Sequence, residues 1–286
     1  ILGNKFDFQP RFGLGIQFCM KYVLRLGIVL MGIRLGLVEI IGYGFQSLSV
    51  VFPCIIITII ITKRIADGFG LRSKMASLIA VGTSICGASA IVAFAPTVSA
   101  KKNEVVFAVA NITVFGIAAM LVYPIIANLL FTSDSISAGI FLGASIHETA
   151  QVAGAGMIYA QQYSQPQVLE ISTLTKLVRN TAMVFVIPYM AYQNSSESNR
   201  ESIFSQIKSI FPYFILGFIG FGILRTLGDI GINEKGLAFN IIDSAKWESL
   251  IIHIISISKF CLVMAMSSIG LSTDIRSFKS IGINVF

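Results

Sequence analysis

Twenty-six consecutive residues, Met75 to Ala100, carry no charge. A helix needs about 20 mostly apolar residues to cross the ~30 Å hydrocarbon core of a bilayer. Comparable uncharged runs cover Ile40–Thr62, Val105–Ser133, Thr149–Leu169, Asn180–Ser196 and Ser209–Leu224. Gly13–Val38 and Ser249–Thr273 are equally apolar but contain Lys21, Arg25, Arg34 and Lys259. Ser135–Ile146 leads into His147 and Glu148, so one span is expected to hold both, giving eight spans. Only helices and closed barrels satisfy their backbone groups in lipid. These continuous runs lack the alternation of barrel strands. The chain reads as an all-α polytopic membrane protein, and its 55% hydrophobic and 12% charged residues agree.

Residues 1–286 read as one transmembrane domain, with 12–133 and 134–286 as candidate repeat halves. Because "ILGN" resembles the tail of an apolar segment and "SIGINVF" the start of one, further spans are expected beyond both ends. Cys19, Cys54, Cys86 and Cys261 all fall in apolar segments, with no CxxC pair or disulfide framework. The net charge of +7 is scattered between spans, which points to membrane topology and not to nucleic acid. Assigning connections alternately to two sides puts ten basic residues on one and five on the other. The denser side, which includes "KRIADGFGLRSK", is cytoplasmic by the positive-inside rule.

Two ordered similarities suggest an internal repeat. "MKYVLRLGIVLMGIRLGL" from Met20 aligns with "TKLVRNTAMVFVIPYMA" from Thr175, and Thr83–Ser89 aligns with Ser267–Thr273. The paired spans lie an odd number apart, so the halves would be inverted, as in many secondary transporters with discontinuous helices. A rival pairing sets "GTSI" at Gly82 against "GASI" at Gly143, in parallel elements.

The stretch "GTSICGASAI" puts Gly82, Thr83, Ser84, Gly87 and Ser89 inside a span. Small residues let membrane helices pack closely, and hydroxyls can bond their own helix. A helix break would instead bare main-chain N–H groups at a half-helix N-terminus, which suits an anion. The recurrence favours the break. "GASIHETAQVAGAG" adds His147, Glu148 and Gln151 inside the bilayer, where ionisable groups are functional candidates. Glu148 either pairs with a buried cation or carries a coupling proton. Arg25, Lys259 and Arg179 exceed the buried carboxylates, while Lys21 and Lys176 are expected to snorkel to the interface. That excess of positive charge suits an anionic substrate.

Enzyme motifs are incomplete. "HETAQ" has Gln151 where HExxH needs a second His, and the only other histidine is His253. "GTSI", "GASI" and "GASA" all lack the final Gly of a GxSG nucleophile motif. No catalytic residue, metal or cofactor is expected.

"AVGTSICGASAI", "SIHETAQVAGAG", "TKLVRN" and "GLSTDIRSF" together resemble the YeiH-like family of conserved hypothetical inner-membrane proteins, also called a sulfate exporter family. The resemblance runs the whole chain. It implies a multi-pass protein of the bacterial inner membrane, in the superfamily of bile acid, arsenite and riboflavin transporters. That grouping implies an inverted repeat with two crossing discontinuous helices. "AMSSIGLSTD" carries more hydroxyls than similar proteins do before its Gly, which bears on substrate preference.

The expected function is therefore secondary transport, as an exporter, of a small inorganic or organic anion such as sulfate. Thr83, Ser84, Gly87, Ser89, Arg179, Asn180, Lys259, Ser268 and Thr273 are the expected substrate-binding residues. His147, Glu148 and Gln151 would couple transport to protons. A homodimer in the lipid bilayer is compatible with this reading. The alternatives are a passive anion channel and a non-transporting receptor or scaffold.

Overall fold

The computed structural model describes residues 9–71, 73–132, 134–194 and 213–272. In chain order the helices are α1 (Gln9–Phe18), α2 (Leu24–Met31), α3 (Leu37–Gly68), α4 (Ser73–Ser84), α5 (Ala88–Phe94) and α6 (Lys102–Phe131). They continue as α7 (Ser135–Ser145), α8 (Thr149–Gln162), α9 (Gln167–Thr181), α10 (Met183–Asn194), α11 (Phe214–Lys235) and α12 (Ser244–Ser272). A π-helical turn, Cys19–Val23, joins α1 to α2. Among the described residues, strands are confined to β1 (Leu237–Ala238) and β2 (Ile242–Asp243), paired Leu237 to Asp243.

Five helical stretches are long and apolar enough to cross a membrane: Phe12–Arg34, Leu37–Gly68, Asn103–Phe131, Phe214–Glu234 and Ser244–Ser268. Three more, α4–α5, α7–α8 and α9–α10, are interrupted helices. Of the eight expected spans, five are thus met by long apolar helices among the described residues, and the other three coincide with interrupted helices. The protein is an all-α, multi-pass membrane protein.

One compact unit takes in residues 1–40 and 213–286. Here α2 packs on α11 and α12 at two glycines. The Ser258 hydroxyl donates to Gly27 O at 2.7 Å, and a Cβ at Gly27 would lie 3.0 Å from Cys261 Cβ. A Cβ at Gly32 would collide with the Phe218 carbonyl. The Leu37 N–H donates to Thr226 Oγ1 at 2.7 Å, fixing the start of α3. At the α11–α12 end, Asp229 accepts from Arg225 Nε and from Trp247 Nε1 at 2.9 Å.

This unit corrects two expectations. α12 continues as helix through Ser272, so no break interrupts 267–272. Ser267 and Ser268 spend their hydroxyls on Val263 O and Met264 O, each at 2.9 Å, which supports the helix and does not open it. Thr273 lies outside the described residues. Lys259 and Arg25 are exposed, not buried, with Arg25 set 5.8 Å from the Phe214 ring centroid. A position far from either end of an apolar run gives depth but not which face the side chain takes.

The other unit is residues 41–212. α3 and α6 present broad apolar faces, such as Phe45, Phe52 and Ile56 on α3 and Leu121, Ile125 and Leu129 on α6. Exposed apolar faces of this kind suit contact with lipid. α9 is the opposite. Apart from Gln167, Val178 and Thr181 it is buried throughout, although it carries Glu170, Ser172, Thr173, Thr175, Lys176, Arg179 and Asn180. Two apolar clusters flank it, one around Leu78, Val81, Ile91, Phe94 and Ile112, the other around Leu142, Val152, Tyr159 and Val168.

Glycine allows this polar helix to be enclosed. A Cβ at Gly139 would stand 2.7 Å from Ile171 Cβ, and one at Gly156 would stand 2.9 Å from Leu169 Cα. At Gly143 it would overlap the Ser172 carbonyl and stand 2.6 Å from Thr175 Cβ. Main-chain atoms cannot swing away, and overpacking of this kind costs about 1–3 kcal/mol. Gly143→Ala should therefore lower the thermal midpoint of the purified protein in detergent. Gly220→Ala, where a Cβ would meet nothing within 4 Å, should leave it unchanged or raise it. Equal midpoints for the two variants would contradict this packing.

Candidate functional site

A helix that ends inside a membrane leaves its last carbonyls without intrahelical partners and without water. Both α4 and α7 end in the protein interior, where Ser84, Ile85 and Ile146 are fully buried. The chain passes from α4 through Ile85, Cys86 and Gly87 to α5, and from α7 through Ile146, His147 and Glu148 to α8. Gly87 has φ +71°, a left-handed conformation that glycine adopts without strain. A Cβ there would also stand 3.0 Å from Glu148 Cγ and 3.1 Å from Ile112 Cγ2. The second break is extended, with φ −83° and ψ 140° at Ile146.

α9 satisfies both helix ends. Lys176 Nζ donates to Ile85 O and to Ile146 O, each at 2.9 Å, so the two breaks meet at one ammonium group. Arg179, one turn further, donates from Nε to Ser84 O at 2.8 Å, from Nη2 to Thr83 O and from Nη1 to Ala144 O. Set Gly82–Ile85 beside Gly143–Ile146. Lys176 then takes the fourth carbonyl of each tetrapeptide, and Arg179 the second of each. The structure thus places its paired breaks where "GTSI" and "GASI" lie, not at Thr83–Ser89 and Ser267–Thr273.

Both cations are sealed, Lys176 at 0% and Arg179 at 3% exposure. Ion pairs such as Arg225–Asp229 and Lys246–Asp243 lie elsewhere, and among the described residues neither buried cation has a carboxylate within pairing distance. Lys has three N–H donors and Arg five. One donor on Lys176 and two on Arg179 therefore have no acceptor among the described residues.

The hydroxyls at the first break are committed. Thr83 donates to Ile79 O, and Ser84 donates to Val81 O at 3.2 Å. Their carbonyls, not their hydroxyls, face the site. Ser89 is exposed, and His147, Glu148 and Thr149 are half-buried. Gln151 Nε2 donates to Thr113 O at 3.3 Å, and Asn180 Nδ2 to Thr149 Oγ1 at 3.1 Å. Gln151 Oε1, Asn180 Oδ1 and His147 Nδ1 are buried without a partner. Thr175 Oγ1 and Ser47 Oγ, 2.7 Å apart, tie α9 to α3.

Of the residues singled out in the sequence, Thr83, Ser84, Gly87, His147, Glu148, Gln151, Arg179 and Asn180 converge on the two breaks. Lys259 and Ser268 lie on α12, in the other unit. Lys176 is the residue that sequence reasoning misplaced. Charge-free windows begin its span at Asn180 and assign Lys176 to the interface, whereas the helix begins at Gln167 and buries it. The usable signal was the spacing of Lys176 and Arg179, three apart and so on one helical face. Among the described residues no group of three or more His, Cys, Asp or Glu could hold a metal ion.

Comparison with known proteins follows the same lines. The family described as conserved hypothetical protein 698 matches residues 1–286. A UPF0324 membrane protein of Streptococcus pneumoniae (strain ATCC BAA-255 / R6) is 34% identical over 91% of this chain and 73% of its own length. One from Fusobacterium nucleatum is 33% identical over 94% of this chain and 77% of its own. One from Streptococcus agalactiae serotype V is 32% identical over 99% and 79% respectively. No solved structure matches the chain. The chain belongs to the conserved hypothetical protein 698 family, the UPF0324 membrane proteins.

Proposed function

We propose that the protein is a secondary transporter of a small anion, such as sulfate or a related sulfur oxyanion, working by alternating access. The observation that carries this reading is the pair Lys176 and Arg179, buried where two interrupted helices meet and in direct contact with no carboxylate, so that two positive charges are opposed by the single nearby Glu148. Burying an ion costs several kcal/mol even after relaxation. A cation carrier would raise that cost with every substrate it bound; an anion carrier lowers it. Discontinuous helices are also where many secondary transporters bind substrate.

In this reading Lys176 and Arg179 supply the potential, and their spare donors and Asn180 face the anion. Thr83, Ser84 and Gly87 shape the first break, and Ser89 lies on its exposed side. Glu148, with His147 and Gln151 on the second break, couples transport to protons. The activity is transport and not catalysis, and the direction is export, as the resemblance implies.

Labelled sulfate loaded into proteoliposomes tests the reading. Flux should saturate, and excess unlabelled sulfate on the far side should accelerate it, as a carrier requires. A passive channel would give no such acceleration, and a receptor or scaffold would give no flux. Lys176→Met should reduce flux at least about tenfold, the loss expected when a buried hydrogen-bonded cation worth more than 1.4 kcal/mol to the bound state is removed. Lys259→Met should stay near the parent rate, because its side chain is exposed. The reverse ranking would overturn the assignment of the site to α9.

Glu148→Gln keeps the size and hydrogen-bonding of a protonated carboxyl but cannot titrate. It should retain sulfate–sulfate exchange, which needs no net proton movement, and lose accumulation driven by an imposed pH gradient. Full pH-driven accumulation in Glu148→Gln would remove Glu148 from coupling and leave it a packing role.

A further inference from the structure

We propose that the Glu148 carboxylate is a tethered anion that holds the substrate's place, and that a transported anion displaces it as a proton is taken up. This rests on the anion-transport reading and adds how site and proton are linked.

Glu148 stands at the N-cap of α8, where a carboxylate ordinarily accepts from N–H groups of its own first turn. Here it makes no such bond. Its Cγ instead reaches across to the other break, where only glycine at 87 leaves room for it. Its carboxylate faces the Ala88 N–H and the charge of Lys176. One broken helix therefore lends its acid to the other.

The donors around this acid outnumber the acceptors. The first main-chain bond of α8 runs from Val152 N–H to Glu148 O at 2.9 Å, so Thr149, Ala150 and Gln151 N–H have no main-chain acceptor. Lys176 and Arg179 keep three donors between them. Glu148 is also half-buried, whereas Lys176 is sealed. The charged and titratable groups facing it are Lys176 from α9 and Cys86 from the first break, with His147 beside it in the chain and Arg179 facing Cys86 and His147. The α6 side chain against Gly87 is Ile112, which is apolar. One negative charge balances half of two positive ones, and a second anion meets Glu148 as a like charge in the same potential.

The exchange follows. As the anion arrives, a proton from water goes to a Glu148 carboxylate oxygen, the side chain becomes neutral, and the donors it faced become available. Anion and proton then load together, and net flux follows the sum of their two gradients.

Calorimetric titration of sulfate, chloride and nitrate into the purified full chain in detergent tests this between about pH 5 and pH 8. The parent protein, Glu148→Gln and Glu148→Ala are compared, each checked for monodispersity. Parent affinity should weaken as pH rises, by up to about tenfold per unit, the limit for one linked proton. Both variants should bind at least about tenfold tighter than the parent near neutral pH, with little pH dependence. Equal, pH-independent affinities in parent and variants would overturn the tethered anion and leave anion transport standing. Absence of binding of all three anions to every form would overturn both.

Discussion

Five carbonyl groups and two cations hold the broken helices together, and the architecture of residues 41–212 follows from that contact. Thr83, Ser84 and Ile85 end one helix, Ala144 and Ile146 lie at the end of the other, and none could find water in a bilayer. A buried polar group left unpaired costs roughly 1–3 kcal/mol. Lys176 and Arg179 remove that cost at both ends from one helix. To do so α9 must lie at the centre, and a helix with seven buried polar or charged side chains stays there only if its neighbours approach closely. Gly139, Gly143 and Gly156 are where they do.

The choice of carbonyls over carboxylates has an electrostatic consequence. A carboxylate partner would cancel each cation outright. Carbonyls at a helix C-terminus amount to about half a negative charge, and the N-termini across each break oppose them with the other sign. The helix ends thus largely cancel among themselves, and the side chains set the balance: two cations against Glu148. Lys176 in this setting bridges two chain segments through the Ile85 and Ile146 carbonyls. Being covalently part of α9, it cannot leave.

Much of this was legible in the sequence, and the illegible part has a definite cause. Apolar runs locate most of the helical segments, because excluding charge from lipid is a property of composition, but they missed the polar helix α9. The break at Ile85–Gly87 was legible too, because glycine and hydroxyl residues in a span conflict with helix propensity. The second break was not assigned correctly. "SSIGLST" matches "TSICGAS" in residue type, and Ser267 and Ser268 bond back to their own helix as Thr83 and Ser84 do, yet α12 runs on unbroken, while "ASIHE" has no glycine at the break and turns through extended backbone at Ile146. Residue type does not reveal which carbonyls an incoming cation will meet. Lys176 was hidden for the same reason. Its burial depends on Ile85 and Ile146, 91 and 30 residues away in sequence.

The clamp also limits how the protein can move. Separating the two breaks would strand five carbonyls and two cations at once, at a combined cost comparable to the whole stability of a typical domain. No working motion of the protein can pass through such a state at a useful rate. The breaks and α9 must therefore travel as one body, with Lys176 bonded to Ile85 and Ile146 throughout. The groups left free to change are those outside the clamp: Ser89 on its exposed side, and His147, Glu148 and Thr149 at the half-buried start of α8. Groups that can change their contacts without breaking the clamp thus lie on the α5 and α8 side of the breaks, while the α4 and α7 side stays fixed. Glu148 is the carboxylate among these groups, and it makes none of the hydrogen bonds of the clamp.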